Sequence, residues 1–309
     1  MTETLYDVLI IGGGPAGLTA GLYASRAKLK TLLVERMILG GQVMTTTKVE
    51  NYPGFPGGID GPDLMVRFQE HCQEFGLETI TGEVTGLSDR GGCREVLVDG
   101  QLYRTRSVII ATGAEPRKLG LPNETALTGR GVSYCATCDG AFFRNVPVAI
   151  AGGGDTAAEE ALFLSRFASK VYLIHRRDQL RATKVLQERI LAHEKIEPVW
   201  NSVITEVTGD SRGVTGLILT DPGGNNPRTL EVAGLFVAIG VVPKAHFLAG
   251  ILDLDAEGYI LTDGECRTSM PGVFAAGDVR KKILKQIATA VGDGAVAAIA
   301  AEKYLDELE

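Results

Sequence analysis

No apolar run in this 309-residue chain is long enough to cross a bilayer, which takes about 20 residues in a helix. Stretches such as Val108–Ala111 and Leu235–Ile239 are the size of strands. Basic residues are not in excess either. Lys and Arg number 31 against 38 Asp and Glu, a formal charge of −7, so no broad cationic face is on hand for nucleic acid or an anionic membrane. The opening residues, Met1 to Asp7, carry no basic segment and run straight into a strand, which predicts no secretory signal and a cytoplasmic protein. The cysteines, Cys72, Cys93, Cys135, Cys138 and Cys266, are odd in number and widely spread, unlike a secreted disulfide framework. What is left, at 45% hydrophobic and 22% charged residues, is the composition of a globular enzyme with length for about two domains.

The chain contains itself twice. Val8-Leu9-Ile10-Ile11-Gly12-Gly13-Gly14 returns 140 residues on as Val148-Ala149-Ile150-Ala151-Gly152-Gly153-Gly154. The same offset aligns Leu22 with Leu162, Ser25-Arg26 with Ser165-Arg166, and Arg36 with Arg176. Each copy reads as buried parallel strand, glycine turn, helix and second strand, the last at Thr31–Val34 and Val171–Ile174. Leu18, Leu22 and Ala24 belong to the first helix, Ala161, Leu162 and Phe163 to the second. A further strand closes each half, Val108–Ala111 before Thr112-Gly113 and Phe236–Ile239 before Gly240. Ahead of these lie short β signals at Glu78–Arg104 and Val203–Val232, each interrupted by a glycine turn. The expected fold is α/β: two Rossmann-like dinucleotide-binding domains, each with a small β-meander. Gly272–Asp278 and the helix after it are expected to return to the first domain. That domain is then discontinuous, residues 1–116 with 244–309, and the second, 117–243, is inserted between proline-bearing crossings at Pro116 and Pro243.

The two glycine turns differ where it matters. Gly12-x-Gly14-x-x-Gly17 follows a strand, opens a helix and is followed 23 residues after Gly12 by Glu35. The glycines let a pyrophosphate approach the backbone N–H groups of a helix N-terminus, and Glu35 can accept from a ribose hydroxyl. The pattern fits the adenosine diphosphate half of FAD or NAD. In the second copy, Gly152-x-Gly154-x-x-Ala157, the place of the acid is taken by His175, followed by Arg176, Arg177 and Arg181. An acid there would repel a 2′-phosphate, whereas these residues would bind one, so this site is expected to take NADPH.

Cys135-Ala136-Thr137-Cys138-Asp139 precedes the strand that opens the second domain. A zinc half-site, a core pair and a redox disulfide compete for it. Zinc needs four ligands, yet no second Cys-x-x-Cys occurs and His71, His175, His193 and His246 are scattered. No metal is expected. Two residues between the sulfurs close a small ring that can pass between disulfide and dithiol with little backbone movement, which favours redox. Asp139 beside the pair suits a general acid–base, or simply starts the turn before Gly140. Cys72 sits at apolar helical spacing with Leu64, Phe68 and Phe75 and reads as a packing residue. Cys93 falls in a hairpin and Cys266 near an exposed-looking turn, neither with a visible partner.

Together, Gly12–Gly17, Gly40-Gly41-Gln42, Glu50-Asn51-Tyr52-Pro53-Gly54, Ala111-Thr112-Gly113, Cys135–Gly140, Gly152–Glu160, His175–Asp178 with Arg181, and Gly277-Asp278 resemble the bacterial-type low-molecular-weight thioredoxin reductases over the full length. The resemblance implies that the first domain binds FAD through Gly12, Gly14, Pro15, Ala16, Glu35, Gly41, Gln42, Asn51, Ala111, Thr112, Gly113, Gly277, Asp278, Gln286 and Ile287. It implies an NADPH site at Gly152, Gly154, Asp155, Thr156, His175, Arg176, Arg177 and Arg181. It also implies a homodimer and thioredoxin as electron acceptor, docking near Arg130, Phe142 and Phe143. Ala141 stands where some members carry an aromatic residue. Glutathione-reductase-like enzymes place their cysteines soon after the first glycine turn, but here Met37–Val43 holds none. With nicotinamide site and disulfide on one domain, the family answer is a rotation between half-reactions, in which Cys138 faces the flavin and Cys135 exchanges with the acceptor. A flavoprotein of a peroxide-reducing system and a dithiol oxidase are the rival activities; the first is expected to carry an N-terminal thioredoxin-like extension, and the second has no use for the arginines after His175.

Overall fold

A computed structural model describes residues 4–45, 49 and 51–308, with the backbone alone for Thr45, Thr137 and Cys138. Its internal contacts divide the chain into two units, Met1–Glu115 with Val242–Glu309, and Pro116–Val241.

The first unit begins with β1 (Leu5–Ile11), in which Val8, Leu9 and Ile10 have no exposed surface, as a parallel strand covered on both faces requires. The chain turns at Gly12 into α1 (Pro15–Arg26), whose proline occupies a first-turn position where no N–H is needed. Then come β2 (Thr31–Glu35), parallel to β1, and α2 (Gly61–Glu74), which buries Leu64, Met65 and Cys72. Strand β3 (Glu78–Thr81) extends the sheet beside β2. An antiparallel meander follows: β4 (Val84–Asp89), β5 (Arg94–Val98) and β6 (Gln101–Ile110). The start of β6 pairs with β5, and the strand continues parallel to β1. The crossing strand β7 (Ala114–Pro116) leads out.

In the second unit α3 (Glu124–Leu127), β8 (Val132–Ser133) and α4 (Ala136–Asp139) precede the repeated motif. That motif is β9 (Pro147–Gly152), α5 (Asp155–Leu164), β10 (Lys170–Ile174), α6 (Lys184–Leu191) and β11 (Ile196–Val199). A three-stranded meander, β12 (Val203–Asp210), β13 (Gly213–Thr220) and β14 (Arg228–Leu230), leads to β15 (Gly234–Ala238) and the crossing β16 (Val241–Pro243). Back in the first unit, β17 (Val273–Ala275) pairs with the end of β6, and α7 (Ile287–Asp306) packs along α1. A Cβ at Gly294 of α7 would run into the Ala16 carbonyl, so the two helices approach backbone to backbone.

The repeat is thus physical. The parallel order β3-β2-β1-β6-β17 in one unit is matched by β11-β10-β9-β15-β8 in the other. The fifth strand comes from the C-terminal segment in the first unit and from the segment before the motif in the second. Successive side chains of each central strand enter different cores, Val8 and Ile10 one, Leu9 and Ile11 the other; Val148 and Ile150 divide from Ala149 and Ala151 in the same way. Each fully buried aliphatic side chain contributes about 1.5–3 kcal/mol, so these strands anchor the loops at their C-terminal ends. Among the described residues no helix is long and apolar enough to cross a membrane.

Candidate functional site

The first glycine turn opens a cleft in the first unit. Gly12 has φ +106, a conformation that L side chains avoid, and a Cβ there would strike the Ala111 carbonyl. Gly14 caps α1 with no side chain of its own over the helix end, which leaves the first N–H groups free for a ligand. Glu35 accepts from Gly13 N–H at 2.7 Å and from Met37 N–H at 3.1 Å, so the acid fixes the turn that it borders.

A cavity of about 140 Å³ beside this turn is lined by Gly14, Pro15, Ala16 and Glu35 from the first motif and by Gly41 and Gln42 after it. Ala111, Thr112 and Gly113, at the end of β6, form a second wall. Gly277, Asp278, Gln286 and Ile287 close the cavity from the C-terminal segment. Gly12 lines an adjoining cavity of about 310 Å³ that shares Glu35 and Gln42. Asn51 donates through Nδ2 to Gln286 Oε1 at 2.9 Å, across 235 positions of sequence. Its neighbour Glu50 lies outside the described residues.

Asp278 holds the most telling atom of this cleft. Its Oδ1 is buried without a hydrogen-bond partner, with Lys282 Nζ at 3.6 Å, and burial raises its pKa despite Lys282 and Lys285. Behind it Asp293 accepts from Gly277 N–H at 3.0 Å, Lys282 Nζ at 2.9 Å and Arg280 at 3.0 Å. An orphaned buried acceptor at the end of a glycine-walled cavity fits a polyol hydroxyl, and the helix end above Gly14 fits a pyrophosphate. The cleft therefore suits a flavin dinucleotide. The Asp293 network has no signal in the sequence, since it ties the irregular segment before α7 to the second turn of that helix at no motif spacing.

The second glycine turn, in the second unit, is built alike. Gly154 caps α5 without a side chain, and open space surrounds the position a Cβ would take. Asp155 Oδ1 accepts from Thr183 N–H at 2.6 Å, which ties the helix start to the loop before α6. Gly152, His175, Arg176 and Arg181 line a cavity of about 280 Å³. Arg177 and Thr156 do not line it; Thr156 borders a groove between α5 and α6 instead. The three arginines are exposed, and among the described residues none of them is in an ion pair. His175 is different in kind. Its ring is buried beneath Gly153, its Nε2 has no partner, and burial lowers its pKa, helped by Arg181, Arg177 and Arg176. The lowered pKa disfavours a charge on the ring, so the positive charge lining this cavity comes from Arg176, Arg181 and Arg117. These residues fit a phosphate-bearing adenosine.

The cysteine pair lies on a turn between β8 and β9 of the same unit. Cys135 is bonded in a disulfide, whereas Cys72, Cys93 and Cys266 are free. The side chain of Cys138 lies outside the described residues. Ser133 Oγ receives the Cys135 N–H at 3.1 Å and faces its carbonyl at 3.2 Å, and that carbonyl also accepts from Asp139 N–H at 3.2 Å. Ala136 is fully buried, and its N–H donates to the Glu160 carboxyl of α5. Asp139 is half-buried and lines a cavity of about 480 Å³ with Arg130, Phe142, Phe143 and the β12–β13 turn residues Asp210 and Arg212. Phe142 is 82% exposed, while Phe143 packs edge-on against Phe236 at 5.3 Å. The adjacent phenylalanines thus divide between surface and core. Cys72 is buried as its helical spacing predicts. Cys266, next to what reads as an exposed turn, is also buried, and Arg280 touches its sulfur at 3.0 Å.

The chain is similar to known proteins along nearly its whole length. A family model described as pyridine nucleotide-disulphide oxidoreductase matches residues 6–294. A thioredoxin reductase of Listeria monocytogenes is 48% identical over 99% of this chain and 96% of its own length. A bifunctional thioredoxin reductase/thioredoxin of Mycobacterium leprae is 48% identical over 99% of this chain and 67% of its own length. Among solved structures, the thioredoxin reductase of Lactococcus lactis superposes with a TM-score of 0.88 at 45% identity, covering 98% of this chain and 99% of that one.

Proposed function

We propose a function from one premise: the chain belongs to the pyridine nucleotide-disulphide oxidoreductase family, in its thioredoxin reductase branch. It reduces the disulfide of thioredoxin, using a flavin and a nicotinamide cofactor. The carrying observation is the disulfide at Cys135, held on a turn of the unit that contains the arginine-lined cavity, while the three remote cysteines stay free thiols. In the Mycobacterium leprae relative, reductase and thioredoxin share one chain, which supports that acceptor.

The flavin is FAD and the nicotinamide cofactor NADPH. When bound, they supply a two-electron route from a nicotinamide to a disulfide. The chain's own residues do the rest. The N–H groups above Gly14 and Gly154 would hold the pyrophosphates, and the Asp278 carboxyl would accept from a hydroxyl of the flavin's side chain. Arg176, Arg177 and Arg181 hold the 2′-phosphate. Two electrons and two protons convert the Cys135–Cys138 disulfide to a dithiol, and Asp139 delivers a proton to the departing sulfur. Cys135 then attacks the thioredoxin disulfide, the thioredoxin thiol leaves, and Cys138 resolves the mixed disulfide to restore the enzyme disulfide. Thioredoxin docks on the face of Arg130 and Phe142. The two crossings act as the hinge of a rotation between half-reactions, and the active form is a cytoplasmic homodimer, as in the resembling family.

The test follows flavin colour. Holoenzyme is expected to bleach with NADPH and to recover its colour with oxidised thioredoxin. Cys138→Ser is expected to bleach and not recover. Thioredoxin turnover by Cys138→Ser, or bleaching without recovery in the unaltered enzyme, overturns the reading.

A further inference from the structure

Glu160 has no part in the scheme above, yet it is a half-buried acid in direct contact with the turn that carries the redox pair. It stands on α5, the helix against which α4 packs. One side of its carboxyl receives the N–H of Ala136, the residue after Cys135. Its Oε2 is shut off from solvent and has no hydrogen-bond partner. The residue also borders the groove between α5 and α6, about 680 Å³ and open to solvent, so a proton can reach it without crossing the core.

A half-buried carboxylate with one oxygen shut off from solvent and unpartnered is costly as an anion, and the cost rises when further negative charge appears beside it. Reduction of the disulfide creates such charge. Two electrons break the S–S bond, and two protons are needed to make two thiols. At neutral pH, whichever sulfur remains a thiolate leaves one proton unclaimed and one negative charge on the turn.

We propose that Glu160 is the proton-coupled positioning residue of the redox turn, taking up a proton when the Cys135–Cys138 disulfide is reduced and releasing it when the pair is reoxidised. The proposal rests on the function given above and deepens it. In the oxidised state burial raises the Glu160 pKa to about 7, only partly opposed by the Ala136 N–H and increased by Glu159, so a modest added charge shifts its occupancy at neutral pH. The groups around it leave this unopposed by any buried cation. Glu159 on α5 and Asp139 on the packed turn are acids, and Arg166, Arg189 and His193 border the open side of the groove. On α6, Lys184 and Glu188 are exposed, and on β10 Lys170 is paired with Glu197 at 2.9 Å, with Tyr172 beside it on the strand. Protonation keeps the Ala136 N–H bonded, because the carbonyl oxygen of the acid still accepts.

The experiment is a redox titration of the full flavin-loaded chain in dithiothreitol buffers across pH, with the Cys135 and Cys138 thiols counted by alkylation, for wild type and Glu160→Gln. From about pH 7 upward the wild-type couple is expected to take up as much as one more proton per two electrons than the variant. That is a further tenfold change in equilibrium constant per pH unit, about 30 mV. Superimposable pH profiles overturn the inference and leave the function standing; a pair that does not titrate with the buffer overturns the function itself. Should Glu160→Gln fail to fold, reduced-minus-oxidised infrared difference spectra of Asp139→Asn just above pH 7 decide. A protonated-carboxyl band that gains intensity on reduction is expected, and no change in that region overturns the proposal.

Discussion

At the scale of the residue, the second dinucleotide site separates charge from position. His175 occupies the place of the acid, but it is buried, disfavoured as a cation and roofed by Gly153, so it shapes the turn while Arg176, Arg177 and Arg181 carry the charge. Each charge-assisted hydrogen bond to a phosphate contributes about 1.5–3 kcal/mol. Arg176→Ala with Arg177→Ala is therefore expected to raise the KM for NADPH at least roughly tenfold to a hundredfold. The KM for NADH, which lacks the phosphate, is expected to stay within about twofold, as no contact is lost. Steady-state kinetics with both nucleotides check this, and unchanged selectivity would place the phosphate elsewhere.

At the scale of the element, one side chain pins the start of the second unit. Glu124, at the first position of α3, is buried and accepts from the N–H groups of Leu119 at 2.9 Å, Gly120 at 2.7 Å and Leu121 at 3.1 Å, and from the Tyr134 hydroxyl at 2.7 Å. Burial alone would raise its pKa, but these donors outweigh burial and lower it. A carboxyl with a depressed folded pKa stabilises the fold at neutral pH, and the contribution is lost as pH falls through that value. Glu124→Gln turns an NH₂ toward donors, and is expected to cost about 2–3 kcal/mol, on the order of 10 °C in the unfolding midpoint of this unit. Thermal melts at pH 7 and pH 4 check both parts: the difference between variant and wild type should shrink at the lower pH, and a difference that grows would refute the role.

Glu124 also marks where the sequence stops being legible. The strands, glycine turns and helices of the repeat are written locally, in apolar runs ending in glycine, and the structure repeats them sheet for sheet. The redox pair was legible for the same reason, as two sulfurs three positions apart. The partners of Glu124 and of Asp293 lie close to them in sequence, but they are mostly backbone N–H groups of irregular loops and side chains at no motif spacing, and the Ala136–Glu160 contact joins two elements, so no local pattern encodes any of them. Phe142 and Phe143 show the limit at its sharpest, since adjacent identical residues diverge by which one meets Phe236.

At the scale of the whole molecule, the described residues form two sets of cores, and among them none of the four clusters mixes residues of the two units. Each unit also has its own candidate ligand cleft. Units with separate cores unfold as separate transitions when little apolar surface joins them, and a ligand moves only the transition of the unit that binds it. Adenosine 2′,5′-bisphosphate at about 100 times its Kd adds about 2.7 kcal/mol to its binder. Calorimetry of the holoenzyme is expected to show two transitions, one raised several degrees by this nucleotide and the other lowered when FAD is stripped. In Arg176→Ala with Arg177→Ala the same nucleotide concentration should raise the first by no more than about half as much, while the second keeps its dependence on FAD. A single transition that responds to both ligands would mean that the clefts belong to one cooperative body, and the assignment of NADPH to residues 117–243 and FAD to the flanking segments would lose its physical basis.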